Sequence, residues 1–137
     1  MTFVATGGAA ESWTKTLSFS GGAASYTLTD VPDGTTGLSA KTDWNLRSKV
    51  SVTLDGYGQA TGVNFTGVGG GVYPMVGGKL RGGDLNGSNA INILDFSVLK
   101  IHWYSTDPDA DIDGSGSVSL NDFTIMKTNW FNKGDEQ

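Results

Sequence analysis

The sequence predicts two small modules, an N-terminal all-β antiparallel sandwich over residues 1–78 and a C-terminal α-helical module over residues 79–137 with two loop-helix motifs. Three observations predict this division. Apolar and polar residues alternate with a period of two in the first part, an internal repeat occupies the second, and a glycine-rich stretch separates them. A chain of 137 residues is long enough for two modules with modest cores.

The β-module is predicted from segments in which apolar and polar residues tend to alternate: Trp13–Phe19, Ser25–Thr29, Ser48–Leu54 and Gly62–Phe65. This period is typical of half-buried strands. Turn-forming pairs such as Asp55-Gly56 stand between the segments, so we expect roughly six or seven short strands paired as a sandwich. The run from residue 67 to residue 78 is either a flexible connector or a last edge strand. We expect its apolar residues to pack, namely Val72, Tyr73, Met75 and Val76.

Composition limits the classes of function. The net charge is -5, and residues 1–78 account for -1 of it, so the second module carries -4. An acidic module disfavours nucleic acid, whose phosphates need clustered Lys and Arg, and favours a cation. The chain has no cysteine, which excludes disulfides and thiolate metal sites. It has no apolar run near the roughly 18 residues of a membrane span, and we expect any export signal to belong to a longer parent.

The internal repeat aligns residues 84–103 without gaps on residues 111–130, at an offset of 27 residues. Seven of the twenty aligned positions are identical, and most of the others exchange similar residues, such as Leu85 with Ile112. Such a match indicates duplication of one structural unit.

Each repeat begins with a twelve-residue segment whose spacing suits a calcium loop. A hard divalent cation needs oxygen ligands, which such a loop presents from positions 1, 3, 5, 7, 9 and 12, position 7 through its carbonyl. In the first loop these positions hold Asp84, Asn86, Ser88, Ala90, Asn92 and Asp95. In the second they hold Asp111, Asp113, Ser115, Ser117, Ser119 and Asp122. We therefore expect two Ca²⁺ ions. The alternative is a pair of Asx-rich turns without metal, because the same residue types favour turns.

Other loop positions agree with this interpretation. Position 6 needs a positive φ and holds Gly116 in the second loop and Asn89, which tolerates that region, in the first. Position 8 is β-branched in both loops, Ile91 and Val118, and we expect the two loops to form a short backbone pairing there. The second loop offers three carboxylates and the first offers two, so we predict tighter binding at the second.

A short helix is expected after each loop, because apolar residues recur at i, i+3 and i+7. The stripes are Phe96, Leu99 and Trp103 in the first repeat and Phe123, Met126 and Trp130 in the second. We expect the stripes to pack the two helices antiparallel, with both tryptophans at least partly buried.

The run Gly83-Asp84-Leu85-Asn86-Gly87, with repeats closing on Asp95-Phe96 and Asp122-Phe123, resembles a dockerin over about residues 80–131. The resemblance implies two EF-hand-like calcium motifs without an entering helix, and a cohesin module of a scaffoldin or cell-surface protein as partner. It also implies an extracellular, secreted parent protein held in a cellulosome-type assembly.

The resemblance places partner specificity at loop positions 10 and 11 and on the following helix. The matching residues are Ile93, Leu94, Lys100, Ile101, Leu120, Asn121, Lys127 and Thr128. These residues depart from the Ser-Thr pair of many type I dockerins, and an apolar pair such as Ile93-Leu94 is similar to type II surfaces. The run Asp30-Val31-Pro32-Asp33-Gly34, followed by Leu38-Ser39-Ala40-Lys41, resembles immunoglobulin-like or prealbumin-like X modules, which implies a β-domain that braces the dockerin.

Three other functions compete with docking. Catalysis is not expected, because no Ser or Cys nucleophile stands near a base and the single histidine, His102, is predicted to be unpartnered. A calcium sensor is disfavoured because the repeats contain one methionine, Met126. The alternative that remains is a carbohydrate-binding β-module with a calcium-stabilised appendage, whose stacking residues are drawn from Trp13, Trp44, Tyr57 and Tyr73.

Overall fold

The computed structural model describes residues 1–18, 20, 24–65 and 80–136, and it divides into two compact units. Unit 1 comprises residues 1–41 and 48–79 with the last two residues, and unit 2 comprises residues 42–47 and 80–135. The six residues Thr42–Arg47 thus group with the second unit, although they precede the predicted boundary near residue 78 by some distance in the sequence.

Unit 1 contains an antiparallel sheet in the order β2-β1-β3-β4, formed by β1 (Thr2–Thr6), β2 (Ser12–Thr14), β3 (Gly37–Lys41) and β4 (Ser48–Ser51). Phe3 pairs with Ala40 and Ala5 with Leu38, and all four side chains are buried. The Phe3 ring also lies 4.5 Å from that of Tyr26 and 6.1 Å from that of Phe65. The segments that hold these two rings therefore cover one face of the sheet.

The all-β prediction for the first part is confirmed, with differences in detail. Four strands are assigned among the described residues. The predicted strand at residues 13–19 is assigned only at its start, and the one at residues 48–54 only through Ser51. Residues 25–29 alternate in burial but form no assigned ladder, and β1 was not predicted. Residue 19 and the run 66–79, with the predicted packing of its apolar residues, lie outside the described residues, and the immunoglobulin-like or prealbumin-like topology stays a prediction.

Unit 2 contains the two predicted helices, α1 (Ile93–Ile101) and α2 (Leu120–Thr128). Leu99 and Met126 from the predicted stripes are fully buried, and the aromatic members are half-buried. The Phe96 ring lies 6.5 Å from that of Trp130, and the Phe123 ring lies 6.4 Å from that of Trp103. Since the start of each helix thus meets the end of the other, the helices pack antiparallel. No helix in the described part of the chain has the length and hydrophobicity needed to cross a membrane.

The loop-to-loop pairing predicted at position 8 is wrong. The Ile91 N–H donates to the Asn132 carbonyl at 2.9 Å, so the first loop pairs with the residues after α2. The Val118 N–H donates to the Ser105 carbonyl at 2.8 Å, so the second loop pairs with the residues after α1. Both β-branched side chains are buried, as expected for core residues. The first loop therefore pairs with the residues that follow α2, and the second loop pairs with the residues that follow α1.

Candidate calcium-binding and docking site

The two loops pass directly into the two helices, and the same residues serve both. Asn92 and Ser119, at loop position 9, are the helix N-caps, and Asp95 and Asp122, at position 12, are the third helical residues. In each case the cap side chain accepts from the helix backbone and the aspartate accepts from the cap N–H, which is a capping box. The spacing that suits a calcium loop thus also suits a helix start.

The position-12 carboxylates also tie back to the beginning of their loops. One Asp95 oxygen accepts the Leu85 and Asn86 N–H groups at 2.9 and 3.2 Å. One Asp122 oxygen accepts the corresponding Ile112 and Asp113 N–H groups at 2.7 and 3.1 Å. Both carboxylates are fully buried. Buried charge needs such hydrogen bonds, so each loop is closed around an anchored carboxylate.

The second loop brings its three acidic groups together. Oxygens of Asp111, Asp113 and Asp122 lie within 4.8 Å of one another. The Ser115 hydroxyl lies 3.2 Å from the Ser117 carbonyl, so two further predicted ligand oxygens are adjacent. Clustered carboxylate, hydroxyl and carbonyl oxygens are the donor set of a hard divalent cation, so this cluster can hold a metal ion.

The position-3 carboxylate of the second loop is held in its charged form. The hydrogen bond from the Ser115 side chain lowers the pKa of Asp113 from its ordinary value, and the Ser115 backbone N–H at 2.9 Å acts in the same direction. Asp113 therefore remains an anion to lower pH than a solvated aspartate.

The first loop has the same internal hydrogen bonds with one carboxylate fewer. The Asn89 N–H donates to Asp84 at 2.9 Å, as the Gly116 N–H does to Asp111 at 2.7 Å. The Ser88 hydroxyl lies 3.1 Å from the Ala90 carbonyl. The first loop also lies deeper, because Asp84 is fully buried and Asp111 is only half-buried. Its predicted side-chain ligands at positions 3 and 5, Asn86 and Ser88, are exposed.

The predicted partner-binding residues are all on the surface. Four of them are apolar and 61–79% exposed: Ile93, Leu94, Ile101 and Leu120. Lys100, Asn121, Lys127 and Thr128 are exposed as well. The prediction did not include Tyr104 and Phe131, which are at least 80% exposed and adopt positive φ. The sequence signal for these two residues was their spacing of 27 residues, which places an aromatic residue directly after Trp103 and directly after Trp130.

His102 is not unpartnered, contrary to the prediction. Its Nδ1 lies 3.0 Å from a carboxylate oxygen of Asp107, in the segment that joins the two repeats. The same segment is fixed by the Asp107 N–H, which donates to the Ser105 hydroxyl at 3.2 Å. The histidine therefore belongs to the turn between repeats.

Comparison with known proteins identifies this loop-helix duplication. Residues 82–129 match the family model of the Dockerin type I domain. The C-terminal module is a dockerin. A solved structure described as "Type II cohesin-dockerin domain from Bacteroides cellolosolvens" is 26% identical, with a TM-score of 0.38, over 39% of this chain and 90% of that one. No curated protein matches the chain. The match to the family model begins at Gly82, so the dockerin assignment applies to the C-terminal module.

Proposed function

We propose that the dockerin binds two Ca²⁺ ions and docks onto a cohesin module, anchoring an extracellular parent protein in a multi-protein or cell-surface assembly. The observation that carries the docking proposal is the exposed apolar surface of the helices. The helices bury Leu99 and Met126 between them, yet Ile93, Leu94 and Ile101 stay exposed. Exposed apolar side chains grouped on one short helix are typical of an interaction surface.

Calcium would be held by the twelve loop residues named from the sequence. The ion neutralises the carboxylates of each loop and links the beginning of the loop to the helix that follows. Support comes from the convergence of Asp111, Asp113 and Asp122, whose like charges repel without a cation. At a free Ca²⁺ concentration 100 times the dissociation constant, each site would stabilise the fold by about 2.7 kcal/mol.

The partner surface differs between the two helices. The α1 side presents three exposed apolar residues, Ile93, Leu94 and Ile101, whereas the α2 side presents Leu120 among polar neighbours. We propose that a cohesin with an apolar binding face engages the α1 side more strongly. This surface is closer in character to type II than to the Ser-Thr type.

Calorimetric titration of the full chain with candidate cohesins tests both parts. Binding is expected in calcium and is expected to be lost in excess chelator. Leu94→Ala and Ile101→Ala should weaken binding, and Ser97→Ala, at an exposed polar position of the same helix, is the matched control. Undiminished binding in chelator would refute the calcium requirement. Unchanged affinity in the two apolar variants would refute the surface.

We further propose that the modules extend over residues 1–78 and 79–137 and that the β-domain braces the dockerin. The grouping of residues 42–47 with the dockerin unit supports a structural contribution from the sequence before residue 78. A chain lacking residues 1–41, which keeps the segment 42–47 that groups with the dockerin unit, should then unfold at lower urea concentration than the dockerin in the full chain. Equal midpoints would contradict the bracing role.

Carbohydrate binding by the β-unit is a second candidate, favoured by an open groove of about 630 Å³ with lining residues that include Tyr26, Gln59 and Thr61. Against it, the Trp44 indole N–H donates to the Pro108 carbonyl at 2.7 Å, so this residue has a structural partner in unit 2. Tyr73 lies outside the described residues. Retention on insoluble cellulose, xylan or pectin without any protein partner would favour this function, and absence of retention on all three would contradict it.

A further inference from the structure

The segment Thr42–Arg47 lies against the first calcium loop through its backbone. The Trp44 carbonyl accepts the Gly83 and Asp84 N–H groups at 2.8 and 3.1 Å, and Asp84 is the first residue of that loop. The Leu46 N–H donates to the Arg81 carbonyl at 2.9 Å, and the Leu46 side chain is fully buried. The entrance of the first loop is therefore fixed by residues outside the repeats.

Asn89, at position 6 of the first loop, joins this segment to the end of the chain. Its side-chain oxygen accepts the Arg47 N–H at 2.7 Å, and its side-chain amide donates to the Asp135 carbonyl at 3.0 Å. Its own carbonyl accepts the Gly134 N–H at 2.9 Å, and the Asp135 N–H donates to the Arg47 carbonyl at 2.9 Å. One side chain thus connects three backbone segments, and the first loop is one of them.

The fit around Asn89 is close. A Cβ added at Gly134 would collide with the Asn89 side-chain oxygen and lie 2.7 Å from the Arg47 nitrogen. Asn89 itself has a φ of 62°, a conformation that asparagine tolerates better than most residues. Glycine at this position would satisfy the backbone equally well, so the asparagine side chain is what adds the contacts.

The second loop has no corresponding contact within the described residues. Its position 6 is Gly116, which is exposed, and a Cβ added there would meet nothing within 4 Å. Its shape also brings oxygens of three carboxylates within 4.8 Å of one another, one carboxylate more than the first loop has, so like-charge repulsion opposes that shape more strongly when no cation is present. The two loops therefore differ in what holds them.

We propose that Asn89 is a positioning residue that keeps the first loop in its ion-binding shape before calcium arrives, whereas the second loop, closed by its own hydrogen bonds, occupies that shape less fully until its ion binds. This inference rests on the proposed calcium binding. The apparent calcium affinity of a loop falls in proportion to the fraction of molecules in which the loop has its binding conformation. A preformed loop therefore keeps its full affinity, whereas a loop that must first be ordered binds more weakly. Calcium binding then orders mainly the second half of the dockerin.

Hydrogen exchange of backbone amides in the full chain tests the proposal directly. In excess chelator the Leu85, Asn86 and Asn89 amides should exchange at least roughly tenfold more slowly than their counterparts Ile112, Asp113 and Gly116. Addition of calcium should slow exchange mainly in the second loop. Equal exchange in the two loops of the chelated wild-type chain overturns the proposal without any substitution. If calcium slows exchange in neither loop, the proposed calcium function fails instead, so the two failures are distinct.

The variant Asn89→Gly isolates the side chain. It leaves every predicted ligand in place and keeps a residue suited to positive φ, as at Gly116, but it removes both side-chain hydrogen bonds. We expect roughly tenfold faster exchange in the chelated first loop and roughly tenfold weaker calcium binding there, with the second site unchanged. Circular dichroism in saturating calcium checks that the variant folds. An unchanged first loop in the folded variant refutes the role of Asn89.

The matched control is Gly116→Asn, which places the same side chain at the equivalent position of the second loop. The space there is open, because a Cβ added at Gly116 would meet nothing within 4 Å, in contrast to the close fit around Asn89. The substitution should therefore not slow exchange of the chelated second loop. Slower exchange in this control would show that asparagine protects a loop by itself, and it would contradict the role assigned to the Arg47 and Asp135 contacts.

Discussion

Replacement of Asp122 by asparagine separates the structural role of the loop carboxylates from their proposed role as calcium ligands. Asp122 is fully buried, and its two oxygens accept from the Ile112, Asp113 and Ser119 N–H groups and from the Ser119 hydroxyl, at 2.7–3.2 Å. Asn keeps the size of the side chain but has one oxygen. The NH2 group of the asparagine would replace one carboxylate oxygen and would face N–H or O–H groups that also donate. The hydrogen bonds that this oxygen accepts in Asp122 would therefore be lost.

Each hydrogen bond to a charged group contributes about 1.5–3 kcal/mol, and relief of repulsion within the acidic cluster offsets part of the loss. We therefore expect Asp122→Asn to lower the free energy of unfolding by about 2 kcal/mol even in excess chelator. Urea unfolding followed by the far-ultraviolet helical signal measures this change, because the assigned helices among the described residues both lie in the dockerin unit.

Asp113→Asn is the matched control, because Asp113 is an exposed member of the same cluster and accepts its backbone hydrogen bond from Ser115. In chelator this variant should lose clearly less stability than Asp122→Asn, since Asp113 is exposed, its asparagine oxygen can still accept from the Ser115 N–H, and one of three repelling charges is removed. Both variants should lose calcium affinity at the second site. If the two variants have equal stability in chelator, the anchoring role of the buried carboxylate is refuted.

Three further predictions concern the core, the β-unit and the ion sites. Leu99→Ala should lower the free energy of unfolding of the dockerin by about 2–5 kcal/mol in urea titration, because Leu99 is fully buried. Burial raises the pKa of Tyr26, so the folded state holds that proton more tightly than the unfolded state, and stability should fall as the pH rises above about 10. Tyr26→Phe should remove this contribution when unfolding is measured from pH 8 to 11, and an unchanged slope would contradict it. Added salt should weaken calcium binding more at the second site than at the first, as site-resolved titration would show, because its third carboxylate, Asp113, is exposed.

The dockerin could be predicted in detail because its signals are local in the sequence. The spacing of the loop residues and the apolar stripe fall within twenty consecutive residues, and the duplication presents each signal twice. The helix caps were not used in the prediction, although they are equally local. Asn92 and Asp95 illustrate this, since a cap and its third helical residue are three positions apart in any helix. Local chemistry therefore determines both the loop and the start of the helix that follows it.

The β-unit was predicted less completely because alternation indicates burial and not pairing. Residues 25–29 alternate in burial as expected, yet no ladder is assigned there. β1 was missed because its five residues, Thr2–Thr6, show only Phe3 and Ala5 as inward side chains, which is too short a pattern to recognise. Its position beside β3 depends on a partner more than thirty residues away, and such pairing leaves little trace in a single sequence.

The contacts of residues 42–47 could not be predicted for a related reason. They use mainly backbone groups of Trp44, Leu46 and Arg47, and every residue type carries the same backbone donor and acceptor apart from proline. From the sequence, Trp44 was a candidate for stacking on a sugar. In the structure its indole N–H donates to the Pro108 carbonyl, in the dockerin unit. The one local hint was Asn89, which replaces the glycine found at position 6 of the other loop.

The two proposed calcium loops consequently have different advantages. The second loop has the additional carboxylate, Asp113, which favours tighter binding, and this advantage comes from an exposed charge that water and salt screen. The first loop has the external contacts of Asn89, which lower the cost of ordering and do not depend on ionic strength in the same way. The sequence predicts a tighter second site, and we expect this order to be clearest at low ionic strength. As salt rises, the order of the two affinities depends increasingly on preorganisation, so Asn89→Gly should weaken mainly the first site and added salt mainly the second.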